Sequence, residues 1–80
     1  MRSTELLVEA SVAIHRFDTG ETEYVQVFDV PCTWVWDDGS RESAEYWAVV
    51  KYIYDNHMRT NDTISITYWA GTPVKSGENQ

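Results

Sequence analysis

Three side chains in this sequence carry the nucleophilic and general-base chemistry that works near neutral pH: His15, His57 and Cys32. Neither histidine has a nucleophile or an acid at an informative spacing, so no catalytic dyad can be read from the chain. His57 falls at the end of an expected helix, where the dipole stabilises a cationic ring, and that accounts for it structurally. Cys32 beside Pro31 is either a reactive thiol or a buried small hydrophobe, the commoner fate of a free cysteine. One cysteine and two scattered histidines do not make a zinc set. The run "DDGSRE" lacks the alternating acids and terminal glutamate of a calcium loop and reads better as the entry to a helix. Neither GxGxxG, P-loop nor nucleophile elbow occurs, and with 13 acids some carboxylate pair is expected by chance. An enzyme would need a cleft uniting His15 or Cys32 with a perturbed carboxylate. The expectation is a non-enzymatic chain with no catalytic residue, cofactor or metal.

The chemistry that stands out is recognition. The stretch "DVPCTWVWDDGSRESAEYWAVVKYIYDN" holds three of the four tryptophans together with many of the acids. Indole rings supply affinity at interfaces, and carboxylates steer approach and select a basic partner. The formal net charge of −7, from 13 acidic and 6 basic residues, repels nucleic acid and anionic membrane. Direct nucleic-acid binding is disfavoured further because an aromatic sheet that stacks bases needs a basic groove, and Glu9 stands on the face concerned.

The elements that must position these groups follow from periodicity. Leu6, Val8, Ala10, Val12 and Ile14 alternate with Leu7, Glu9, Ser11, Ala13 and His15, as in a half-buried strand. "FDTGETEY" reads as a hairpin turn around Gly20, with Asp18 facing Glu21, Ile14 opposite Val25 and Val12 opposite Val27. The second strand is expected over Thr22 to Val30, before Pro31 removes a ladder donor, with "CTWVW" resuming as a bent or edge strand. Ser40 or Asp38 can cap a helix from about Arg41 to His57. Its inward stripe is read as Tyr46, Val49, Val50, Ile53 and His57, with Trp47 and Tyr54 flanking and Glu45, Lys51 and Asp55 turned away. Thr63 to Trp69 alternates again, with Ile64, Ile66 and Tyr68 on one side and Ser65, Thr67 and Trp69 on the other. The result is a single α+β domain over residues 1–70, β-β-α-β, with one helix on one face of a mainly antiparallel three- or four-stranded sheet. Residues 71–80 read as a loose tail.

A single helix covers one face only. The other is expected to carry Leu7, Glu9, His15, Tyr24, Phe28 and Trp69, an aromatic and acidic surface of the kind that marks a contact. Eighty residues bury only about 60% of the surface of the unfolded chain, so little polypeptide is left to cover it. The lone cysteine favours an intracellular, cytoplasmic location, and no segment approaches the roughly 20 apolar residues of a membrane span.

With "VAIHRFDTGETEYVQVF" as a hairpin, "SRESAEYWAVVKYIYDN" as a helix and "DTISITYW" as a closing strand, the chain resembles small bacteriophage proteins that disable host machinery. These include phage inhibitors of bacterial RNA polymerase and anti-CRISPR proteins; the likeness is one of size, acidity and architecture over roughly residues 5–70. The resemblance implies an inhibitor acting in the host cytoplasm on a basic surface of a protein or nucleoprotein complex. The residues assigned to partner contact are Tyr24, Phe28, Asp29, Trp34, Trp36, Asp37 and Asp38, with Trp34 and Trp36 as anchors. The alternative is a self-associating protein that pairs through its exposed sheet face or an edge strand, with a dimer burying Tyr24, Phe28 and Trp69 across a two-fold axis.

Overall fold

The computed structural model describes residues 2–74. In chain order it contains β1 (Ser3–His15), β2 (Thr22–Val35), α1 (Arg41–Asn56) and β3 (Thr63–Pro73). The sheet order is β2-β1-β3 with both pairings antiparallel, so β1 is central and the helix packs over one face. The α+β architecture and element order are those the periodicity predicts.

β1 is the continuous element that organises the rest. Leu6, Val8, Ala10, Val12 and Ile14 are all buried beneath the helix side, as their alternation requires. Both neighbours, however, break step. On β2, Val8 pairs with Val30 and Ala10 with Val27, so Phe28 and Asp29 together stand opposite Glu9. This is a β-bulge, and Asp29 accommodates it at φ 58°, a left-handed conformation that a short polar side chain tolerates. The extra residue reverses parity: Val25 and Val27 face the core before it, and Val30, Cys32 and Trp34 after it. On β3, Ser11 pairs with Tyr68 and Val12 with Ile66, leaving Thr67 as the surplus residue.

The second bulge corrects the reading of β3. Ile64 and Ile66 face the core, but beyond Thr67 it is Trp69 that turns inward and Tyr68 that turns out. The hairpin register is also displaced by two residues from expectation, with Ile14 opposite Glu23, Val12 opposite Val25 and Ala10 opposite Val27. A wider turn causes this: the Arg16 amide donates to the Glu21 carbonyl at 2.8 Å and the Gly20 amide to the Arg16 carbonyl at 2.9 Å. Since side-chain direction repeats every two residues, the slip keeps the apolar residues on the same face.

β2 runs through Pro31 instead of ending before it. As an outermost strand, β2 can hold a residue without an N–H where the donor would point away from β1. β3 likewise continues to Pro73, past the expected start of the tail, and the Val74 amide donates to the Glu5 carbonyl. The remainder of the expected tail, 75–80, lies outside the described residues.

Ser40 caps α1 by accepting from the Ser43 amide at 3.0 Å. The helix is rotated from the expected stripe: Glu45, Val49 and Ile53 are buried, and Ala44, Ala48 and Tyr52 pack beside them. Two alanines let the helix approach the sheet closely, while Val49 and Ile53 each contribute roughly 1.5–3 kcal/mol of burial. Glu45, expected to face solvent, is held inside by Arg41, whose Nε donates to its carboxylate at 2.9 Å and whose Nη2 donates to the Gly71 carbonyl at 2.8 Å. A Cβ at Gly71 would overlap the Glu45 carboxylate, so any larger residue at that crossing requires the Glu45 side chain to shift.

The opposite end of the helix is fixed by a buried ion pair. Arg16 donates to Asp62 at 2.7 Å, to Glu23 at 2.8 Å and to the His57 carbonyl at 2.7 Å. Asp62 also accepts the backbone amides of Phe17 at 2.9 Å and Arg59 at 3.0 Å. The hairpin turn, the helix C-terminus and the approach to β3 are thereby joined at one point.

Two consequences can be measured. The Phe17 amide, and after it the Arg16 guanidinium, hold the Asp62 carboxyl below its ordinary value of 3.8 despite burial. A carboxyl depressed in the folded state stabilises above its ordinary pKa and loses that contribution as pH falls below it. Asp62→Asn should therefore lower the melting temperature at pH 7 and flatten its decline below about pH 4, as differential scanning fluorimetry across pH would record. In the same assay Gly71→Ala should melt earlier than the parent chain, because the Glu45 carboxylate must be displaced.

Candidate interaction surface

The helix spans roughly 24 Å at 1.5 Å per residue, while the 13 residues of β1 extend over roughly 43 Å. Contacts at its two ends place it from the level of Gly71 to that of Arg16. The rest of the inner face, around Thr4 and Leu6, needs another cover. Trp34 and Trp36 supply it. Their rings stack with centroids 5.1 Å apart and planes 17° apart. Trp34 packs on the core and donates to the Gly39 carbonyl at 3.1 Å; Trp36 donates to the Thr4 hydroxyl at 2.7 Å and carries the Arg2 guanidinium 4.0 Å from its ring centre.

The residues assigned to contact therefore do not form one surface. Tyr24 and Phe28 project from the outer face of the sheet and are 82% and 62% exposed. Asp29 lies in the bulge beside them. Trp34 is half-buried on the inner side, Trp36 is 42% exposed above it, and Asp37 and Asp38 are exposed in the turn leading to α1. Eight residues of strand, roughly 25 Å, separate Phe28 from Trp36. Crowding in sequence did not become crowding in space, because alternate residues of a strand face opposite ways and a bulge intervenes.

The outer face is built from all three strands. Leu7, Glu9, Ser11, Ala13 and His15 come from β1, Tyr24, Gln26 and Phe28 from β2, and Ser65, Tyr68 and Thr72 from β3. Tyr68, which replaces Trp69 here, is half exposed, and its hydroxyl reaches Glu9 at 3.4 Å. A depression of about 290 Å³ at the bulge is lined by Leu7, Glu9, Phe28, Asp29, Thr72 and Pro73. His15 sits toward the hairpin end, its two ring nitrogens 3.1 Å from the Thr22 hydroxyl and 3.2 Å from that of Ser65. Among the described residues none on this face is a lysine or arginine. Among the described residues, Arg16, Arg41, Lys51 and Arg59 are each engaged by a carboxylate, and no ion pair reaches Glu5, Glu9 or Asp29.

Cys32 is buried and free. Burial pushes its thiol up, and the nearby carboxylates of Glu45 and Glu5 push it further, which disfavours the reactive thiolate. His57 caps the helix, its ring tilted toward Tyr52. Neither of these meets His15, which lies across the sheet. Among the described residues no helix is long and apolar enough to cross a membrane. Comparison with protein-family models, with curated proteins and with solved structures finds no match.

Sequence reasoning missed Tyr68 because a bulge gives no signal in strict alternation. It also left unweighed the aromatic surface on the helix side, where Trp47 is 64% exposed. The different settings of the two tryptophans are separable by mutation. Trp34→Ala should cost on the order of 2–3 kcal/mol in urea unfolding through lost packing, while Trp36→Ala costs visibly less.

Proposed function

We propose that the chain is a small acidic binding protein, not an enzyme, that uses its outer sheet face to occupy a basic surface of a larger complex. The single observation carrying this is the composition of that face: Tyr24, Phe28, Tyr68 and Leu7 are exposed beside Glu5, Glu9 and Asp29, without a lysine or arginine among the described residues. Aromatic rings supply contact energy, and uncompensated carboxylates favour a partner rich in lysine and arginine. A groove that holds nucleic acid has that character, so the chain acts by excluding nucleic acid from it. In this reading it is a phage or mobile-element inhibitor of a host assembly such as RNA polymerase or a CRISPR effector, working in the host cytoplasm. Its contact centres on Tyr24, Phe28, Asp29, Glu9 and Tyr68, with Asp37 and Asp38 steering approach from the far end.

Self-association through the same face is the weaker reading. An isologous pairing would bring two copies of this acidic face together in a chain of net charge −7. Sedimentation at several concentrations tests it, with a monomer expected throughout.

The tagged chain, passed over lysate of a bacterial host, should capture a nucleic-acid-binding complex at about 0.1 M salt and release much of it at about 0.5 M, where charges are screened beyond a few ångströms. The captured complex should lose its nucleic acid. The double variant Tyr24→Ala, Phe28→Ala should fold and fail to capture it. Capture that survives both salt and the double substitution contradicts the reading.

A further inference from the structure

A second site lies on the helix side of the molecule and does not depend on the reading above. Tyr46 and Trp47 from the first half of α1 meet Trp69, the residue that the β3 bulge turns inward. Tyr46 packs at a steep angle to both: its ring centre is 5.3 Å from that of Trp47 with planes 90° apart, and 5.2 Å from that of Trp69 with planes 68° apart. These three rings, with Ser40, Glu42 and Ser43, line a pocket of about 270 Å³.

We infer that this pocket is an aromatic cage for a quaternary ammonium group. Three aromatic rings lining one pocket attract a cation by its charge and an alkylated one by contact as well. Glu42 at the rim supplies a full negative charge, and among the described residues no ion pair engages it. The positive end of the helix dipole opposes a cation here, but Glu42 belongs to that first turn and Ser40 already satisfies the Ser43 amide.

Contact with the rings favours the alkylated cation over a bare one. A primary ammonium carries three donors that want acceptors. The Ser40 hydroxyl is spent on Ser43, donating to its Oγ at 3.0 Å while accepting from its amide. The acceptors that remain among the lining side chains are the Glu42 carboxylate and the hydroxyls of Ser43 and Tyr46. A trimethylammonium head has no donors to satisfy, and the pocket falls just short of the roughly 300–1,000 Å³ of sites that enclose whole ligands, which suits a head group.

The test is an NMR titration of the full chain, following the indole N–H signals of Trp47 and Trp69. The probes are choline, a peptide bearing trimethyllysine, and 3,3-dimethylbutan-1-ol, the uncharged isostere of choline. Saturable shifts of both indoles are expected with a quaternary ammonium, and the neutral isostere should bind at least about fivefold more weakly if cation–π attraction contributes. The tighter of choline and the peptide identifies whether the group comes from a small molecule or a modified protein. Trp47→Ala, at an exposed position, should keep its melting temperature and lose at least about tenfold in affinity, and Glu42→Gln should lose about threefold. No saturable shift, equal binding of the neutral isostere, or unchanged affinity in a folded Trp47→Ala variant would overturn the assignment.

Discussion

One helix of 16 residues has to cover a sheet whose central strand is 13 residues long, and it covers only part of one face. The rest of the structure answers that shortage. The inner face beyond the helix is closed by the stacked pair Trp34 and Trp36. The outer face receives no cover among the described residues, and its rings and carboxylates remain available. Polypeptide is scarce in a small domain, so which surfaces are closed is informative about what the open one does.

The two bulges make this partition possible. Without the extra residue at Phe28–Asp29, the apolar set Val30, Cys32 and Trp34 would point to the outer side once Val25 and Val27 point in. Without Thr67, Trp69 would leave the helix side and take with it the third wall of the aromatic pocket. At the ends, polar clusters set the position of the helix: Arg41 and Glu45 against Gly71, and Arg16 with Asp62 and Glu23 at the hairpin. Among the described residues, each cation is engaged away from the outer face, by a carboxylate or, for Arg2, by the Trp36 ring, which leaves that face acidic.

The periodicity of β1 and the capped helix was legible because each follows one local rule for its full length. β1 alternates without interruption, and Ser40 supplies the cap that helix entry requires. What was not legible arose where a tertiary pairing broke local periodicity. The surplus residues on β2 and β3 are defined by the partner strand, not by their own sequence, so Tyr68 and Trp69 exchanged faces relative to expectation. Burial of Glu45 depended on Arg41 four residues earlier and on Gly71 thirty residues from Arg41, a combination visible only after packing. Of the residues assigned to contact, Tyr24 and Phe28 lie on the open face as expected, while Trp34 serves the interior.

The account stands on the openness of the outer face in an isolated chain. A soluble paramagnetic probe added to the dilute chain reports it residue by residue through NMR relaxation. Strong broadening at Tyr24, Phe28 and Tyr68, with Val8, Val30 and Ile53 protected, is the predicted pattern. Protection of all three aromatics in a chain that sediments as a monomer would contradict it.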